Sequence, residues 1–285
     1  MYKIYHQSKG LVTHGVSACA GCALEIIIRN VLDVMGEDTI IAIPPGCSAM
    51  FSGFGHETAI KIPGIQGNLE NTAACATGIK RGLMSQGNTH TNVLAFAGDG
   101  ATADIGLQSL SGMIERGEKV IYVCYDNEAY MNTGIQASSS TPAGASTTTT
   151  PGGKTAIRKD LLGIVTMHNI KYAATASVAY LTDLRKKIEK AKNTDGPSFV
   201  HIHAPCPTGW VYDSSKTIEL ARTAVETGCW VLYEYENGKR ILNKKLKEIK
   251  PIEEYIFMQG RFKGITEEEI KHMQEEVKTK YLSYL

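Results

Sequence analysis

Four short runs, TIIAIPPG (39–46), NVLAFAGDG (92–100), KVIYVCYDN (119–127) and SFVHIHAPC (198–206), are apolar at almost every position. A strand with one wet face alternates apolar and polar residues, so a run without alternation is covered on both faces. Helix-like stretches lie between the runs, at residues 20–35, 69–86, 103–116, 155–168 and 179–192. Strands alternating with helices predict a doubly wound, mostly parallel α/β sheet. With 285 residues, 43% of them hydrophobic, the chain can bury one large core or a core plus an appendage. After Trp230 the pattern changes. WVLYEYENGKRILN predicts a hairpin turned at Asn237-Gly238, and ITEEEIKHMQEEVKTKYLSYL predicts a charged terminal helix capped at Thr266. The expected division is a main domain of residues 1–229 and a hairpin and helix extension of residues 230–285, suited to contact with another subunit.

The formal charge is +1, with acids and bases mixed along the chain. That argues against nucleic acid or an anionic membrane as partner. No apolar run approaches the roughly 18 residues of a spanning helix, and MYKIYHQSKGLVTHG lacks the apolar core of about 7–15 residues that marks a signal peptide. A soluble, cytoplasmic protein is expected. In that compartment the close thiols Cys19, Cys22 and Cys47 suit metal binding or redox chemistry better than disulfides. The polar segment SSSTPAGASTTTTPGGK (138–154) reads, on composition alone, as a flexible linker.

Cys47, Asp99, Asn127 and Cys206 each stand at or just past the C-terminal end of an expected strand. In an open parallel sheet those ends share one edge, where ligands bind. The carboxylate of Asp99 and the amide oxygen of Asn127 are suitable ligands for Mg²⁺, which takes oxygen donors and often shares them with a phosphate. Gly98 and Gly100 let backbone approach a diphosphate closely, and a helix opening near residue 102 aims free N–H groups at it. Gly-Asp-Gly alone also makes an ordinary strand-to-helix turn. Cys19, Cys22, Cys47 and Cys206 could hold a [4Fe–4S] cluster or a Cys₄ zinc, and the C-x₂-C pair alone could be a redox disulfide. Cys75, Cys124 and Cys229 read as core residues. Glu70 reads as a cap for a helix starting near Asn68 rather than as a catalytic group. His56, His201 and His203 show no metal-binding spacing; the last two share one strand face and read as structural.

Gly98-Asp99-Gly100 followed by Asn127 resembles the thiamine-diphosphate motif. SACAGCA, PGCSAMF, NLENTAACATGI, GDGATADIGLQSL, YDNEAYMNTGIQASSSTPAGASTTTTPGGK, APCPTGW and PIEEYIFMQGRF extend the resemblance over nearly the whole chain. Together they resemble the thiamine-binding β subunits of 2-oxoacid:ferredoxin oxidoreductases of the pyruvate synthase type. The resemblance implies the diphosphate-half thiamine fold. It implies that Gly98, Asp99, Gly100, Ala101, Asn127 and Ala129 bind thiamine diphosphate, with Asp99, Asn127 and the Ala129 carbonyl on Mg²⁺. It places Cys19, Cys22, Cys47 and Cys206 on a [4Fe–4S] cluster and makes 138–154 an ordered loop after the cofactor site. Asn132 matches an asparagine near the substrate, where its amide can donate to a developing oxyanion; the plain alternative is an Asx-turn.

The implied reaction converts a 2-oxoacid, coenzyme A and oxidised ferredoxin to an acyl-CoA, CO₂ and reduced ferredoxin. Implied partners are an α subunit bearing the pyrimidine domain, γ and ferredoxin-like δ subunits, and external ferredoxin. The sequence departs from the family pattern at Ala23, where relatives often have glycine, and at Pro44-Pro45 before Gly46-Cys47. At Met50 the related two-subunit enzymes place a lysine, which speaks against a dicarboxylate such as 2-oxoglutarate. Pyruvate leads; oxalate, phenylglyoxylate and branched-chain 2-oxoacids stay open. A non-redox thiamine lyase or carboligase would leave four cysteines without a role, and a zinc-bearing scaffold would bind no thiamine.

Overall fold

The computed structural model describes residues 10–52 and 58–285. Eight strands form one sheet: β1 (Thr39–Ile43), β2 (Gly64–Gln66), β3 (Asn92–Gly98), β4 (Ile121–Asp126), β5 (Tyr172–Ser177), β6 (Ser198–His203), β7 (Tyr233–Glu236) and β8 (Lys239–Leu242). Their order is β2-β1-β3-β4-β6-β5-β7-β8. The first six are parallel, while β7 and β8 add an antiparallel edge. The expected doubly wound sheet is therefore present, and the Asn237-Gly238 hairpin closes it.

The unalternating runs are buried as anticipated. Along β3, Leu94 and Phe96 face one core, with Ile27, Val31, Leu184 and Ile188. Val93, Ala95 and Ala97 face the other, with Ala76, Leu110 and Leu162. The helices Ala23–Met35 and Leu181–Asn193 cover the first face; Thr72–Ser85, Leu107–Glu115 and Leu161–Thr166 cover the second. A third cluster, built on Trp210, Trp230, Tyr255 and Phe262, seats the C-terminal region. The last helix, Glu267–Leu282, begins in a capping box between Thr266 and Glu269. No helix among the described residues is long and apolar enough to cross a membrane.

Several boundaries differ from expectation. The helix expected at 155–168 is only Leu161–Thr166, because residues before it are drawn toward the sheet edge. Arg158 pairs with Asp126 and Glu128 there, and Lys159 donates to the carbonyl of Ala103. The helix expected at 103–116 starts instead with a π-turn, Gly100–Asp104, before Leu107–Glu115. Thr102 Oγ1 bonds back to the Gly98 carbonyl at 2.7 Å. At the junction a Cβ on Gly106 would sit 2.0 Å from the Ala101 oxygen, so only glycine fits. The segment 138–154 is no free linker: Lys154 Nζ donates to the carbonyls of Ser138, Ser139 and Thr141 and folds the loop back on itself.

Candidate active site

The four residues expected at one edge follow four adjacent strands, β1, β3, β4 and β6. Cys47, Gly98, Asp99, Gly100, Ala101, Asn127, Ala129 and Asn132 all line a single cleft at that edge. Asp99 is 1% exposed. Its Oδ2 accepts from Ser138 Oγ at 2.5 Å, leaving Oδ1 for another partner. Burial, and then the negative charge of Asp126, raise its pKa well above the usual carboxylate range. A cation at Asp99 would offset both effects.

The far end of the Asn127 amide stands 3.0 Å from Asp99 Oδ1 and 2.9 Å from the Ala129 carbonyl oxygen. Placed there, the NH₂ donates to both. Placed there, the amide oxygen faces two other oxygens at the separation of an octahedral edge, since ligands about 2.1 Å from a Mg²⁺ ion and at right angles lie about 3.0 Å apart. In that orientation Asn127 Nδ2 also donates to Cys47 Sγ at 3.8 Å. The donor set thus fits a hard divalent cation. The π-turn puts Gly100 under Tyr130, whose hydroxyl donates to the Gly100 carbonyl at 3.3 Å and to Asp104 at 3.1 Å. A Cβ on Gly100 would meet that ring at 2.4 Å. Asn132 is exposed in the cleft and its amide makes no hydrogen bond among the described residues, so it forms no Asx-turn there and can donate.

The thiols converge without forming a ready cage. Among the described residues no three His, Cys, Asp or Glu side chains stand together as metal ligands. Yet Cys22, Cys47 and Cys206 sense one another. Burial, and then neighbouring thiols, push Cys47 up to about 12; burial is also the main cause that takes Cys22 to about 11 and raises Cys206. All seven cysteines are free. Thiols so disfavoured as thiolates suit a site whose metal supplies the compensating charge. Local structure fixes three of them. Cys22 precedes the Ala23–Met35 helix, and its N–H bonds the Cys19 carbonyl at 3.0 Å. Cys206 Sγ accepts from Gly209 N at 3.4 Å. Cys47 lies in a turn held from β4 by Tyr125, whose hydroxyl is 3.1 Å from both Ser48 N and Ser48 Oγ.

Glu70 is not the cap of its helix: that helix begins at Thr72 after Asn71, and the Glu70 carbonyl accepts from Ser109 Oγ. Cys124 is fully buried, whereas Cys75 and Cys229 pack at core margins. His201 bonds Asp126 at 2.7 Å, and His203 bonds the Tyr255 hydroxyl at 3.3 Å, so both are structural. His56 lies outside the described residues. Sequence reasoning missed Ser138 and the buried ionic network behind the cleft, where Arg158 bridges Asp126 and Glu128, and Arg261 reaches Glu128. Burial works against ionisation of Asp126, but Arg158 and then His201 outweigh it and hold its carboxyl below the usual range. A signal existed. An Asp-Asn-Glu run ending an apolar strand buries two charges, and these need cationic partners.

Residues 44–202 match the family described as "Thiamine pyrophosphate enzyme, C-terminal TPP binding domain". The chain is 49% identical to pyruvate synthase subunit PorB of Methanothermobacter thermautotrophicus, over 92% of this chain and 93% of that one. It is 48% identical to ketoisovalerate oxidoreductase subunit VorB of Pyrococcus horikoshii, over 92% and 88% respectively. Among solved structures it superimposes on a 2-oxoglutarate:ferredoxin oxidoreductase chain from Magnetococcus marinus, with a TM-score of 0.63. That match is 19% identical and covers 95% of this chain and 96% of that one, a likeness of fold.

Proposed function

The chain belongs to the thiamine-pyrophosphate-dependent 2-oxoacid:ferredoxin oxidoreductase family, a family of multi-subunit enzymes, and we propose that it holds the Mg²⁺–diphosphate end of the cofactor and the first electron acceptor for oxidation of pyruvate to acetyl-CoA and CO₂. The observation that carries this reading is the approach of Asp99 Oδ1, the Asn127 amide and the Ala129 carbonyl at the edge where four strand ends meet. Bound thiamine diphosphate supplies a carbon nucleophile and an electron sink, and an iron–sulfur cluster takes electrons singly. The protein's part is placement. Asp99, Asn127 and Ala129 would hold the metal. Gly98, Gly100 and Ala101 bring backbone against the diphosphate. Cys19, Cys22, Cys47 and Cys206 would hold a [4Fe–4S] cluster, with Cys47 adjoining Asn127. Asn132 donates from its free amide to the substrate oxygen that gains charge.

No cationic side chain lines the cleft among the described residues, and Met50 is no lysine. Both features favour a monocarboxylate with a small apolar substituent. The VorB match, nearly as high as the PorB match, supports a branched-chain 2-oxoacid as second reading. The partners follow as proposals: an α subunit supplying the pyrimidine half, smaller subunits and ferredoxin carrying electrons away, and residues 230–285 as a subunit contact. The free thiols fit a cytoplasmic setting. A substrate panel on the purified complex with a viologen acceptor tests the reading, together with iron content. Pyruvate should lead; Cys206→Ser should lower bound iron while Cys124→Ser leaves it unchanged. Iron and sulfide retained in serine variants of all four proposed ligands would overturn the ligand set.

A further inference from the structure

Glu128 lies between two of the proposed metal ligands and has a left-handed backbone, φ 63°. A residue with a Cβ resists that conformation, so something must hold it there. Its N–H donates to Asp126 Oδ1 at 2.9 Å, and its carbonyl accepts from Thr141 Oγ1 at 2.6 Å. Its carboxylate, 2% exposed, is gripped on both oxygens, by Arg158 at 2.6 Å and by Arg261 at 2.6 Å. Arg261 comes from the C-terminal region, more than a hundred residues downstream. Its guanidinium also covers the Trp210 ring at 3.9 Å, and Trp210 Nε1 donates to the Asn127 carbonyl at 2.8 Å. Arg261 is fixed in turn by Gln259, which accepts from its Nε at 2.8 Å, and by Ser146 N on its own carbonyl. It therefore acts on both sides of the Asn127–Glu128 peptide.

We propose that Arg261 is a positioning residue for the metal loop: through Glu128 and Trp210 it holds the left-handed turn that aims the Asn127 amide and the Ala129 carbonyl at the same point as Asp99. The proposal rests on the cofactor reading above, but it concerns a linkage that reading does not require. A plain buried ion pair would stabilise the fold and nothing more. A positioning pair makes a narrower demand, because the turn and not the charge is what the metal needs.

Glycine adopts a left-handed φ freely, which separates the two. In the purified complex, thiamine diphosphate binding is titrated against Mg²⁺ by calorimetry for wild type, Glu128→Ala, Glu128→Gly, Arg261→Gln and Glu128→Gly combined with Arg261→Gln. Thermal unfolding of each variant is followed in parallel. Glu128→Ala and Arg261→Gln should raise the Mg²⁺ needed for half-saturation by about 10-fold or more, the size of changes behind a metal ligand. Glu128→Gly should recover most of that loss although it lacks the carboxylate, and Arg261→Gln should add little in its background. Where the alanine variant fails to assemble, the effect of Arg261→Gln in the two backgrounds decides. Equal shifts for alanine and glycine, or an equal cost of Arg261→Gln in both backgrounds, would overturn the linkage. Wild-type binding that ignores Mg²⁺ would instead overturn the cofactor reading and the linkage with it.

Discussion

The carboxylate of Asp99 is the only acidic group lining the cleft among the described residues. Asp99→Ala should therefore weaken Mg²⁺–thiamine diphosphate binding by more than the roughly 10–100-fold of an outer-shell change. Asn127→Ala should cost less, since a neutral ligand is lost. Calorimetry on the complex checks the order; unchanged binding in Asp99→Ala would refute the assignment. A different residue should add to acid sensitivity. Burial, and then the charge of Arg158, push His203 from 6.5 down to about 3. The unfolded chain binds the proton more readily, so between these values stability falls as pH falls, by about 1.4 kcal/mol per unit. The loss begins near 6.5, where the unfolded imidazole titrates, and ends near 3. His203 sits between Trp210 and Trp230 at ring distances of 5.5 and 4.8 Å, a setting that phenylalanine can fill. His203→Phe should recover roughly 2 kcal/mol of the stability lost between pH 7 and pH 5. Denaturant titrations at the two pH values check this, and parallel losses in both proteins would refute it.

At the scale of elements, the π-turn decides what glycine does. Gly112 lies inside the Leu107–Glu115 helix, with open space where a Cβ would stand. Gly112→Ala should stabilise the protein by about 0.5–1 kcal/mol, by removing backbone freedom from the unfolded chain. Gly100→Ala should do the reverse. Its Cβ meets the Tyr130 ring, and overpacking of that kind costs about 1–3 kcal/mol. The strain falls on the ring that borders the cofactor cleft, so cofactor affinity should drop with it. Thermal unfolding and cofactor titration separate the two substitutions, and a Gly100→Ala protein with normal affinity would show that Tyr130 moves freely. The same scale shows what was legible in the sequence. β1, β3, β4 and β6 announce themselves because they are rich in branched, aromatic and apolar residues. β5 is the alanine-rich YAATAS, a weak strand former that is buried by its neighbours. β2 is three exposed residues with no pattern to find. The π-turn follows from the close fit at Gly106 and the back-bond of Thr102, neither of which a periodicity reports. The convergence of Cys47, Asp99, Asn127 and Cys206 was legible because it depends only on strand ends sharing an edge. Arg261 was not, because its place depends on the chain returning from far downstream.

At the scale of the whole molecule, the proposed function makes the cleft half of a site. Thiamine chemistry needs a carboxylate at the aminopyrimidine as well as a metal at the diphosphate. Within the cleft Asp99 already faces Asn127 and Ala129, and the nearby Asp126 and Glu128 are turned inward to Arg158 and Arg261. No carboxylate lining the cleft among the described residues is left for the ring. On the proposed function that group comes from another chain, in keeping with membership of a multi-subunit family. The isolated subunit, loaded with the proposed cluster, should then bind thiamine diphosphate weakly and oxidise no 2-oxoacid. Mixing with the partner should raise affinity, because the contacts to the pyrimidine arrive with it, and should restore turnover with pyruvate, coenzyme A, Mg²⁺ and viologen. The loop 132–154 borders the cleft through Asn132 and Thr133 and pins Asp99 through Ser138. Partner binding should therefore also slow its proteolysis. Turnover by the isolated chain at the rate of the full complex would mean that this chain carries its own pyrimidine partner, and the half-site description would fall.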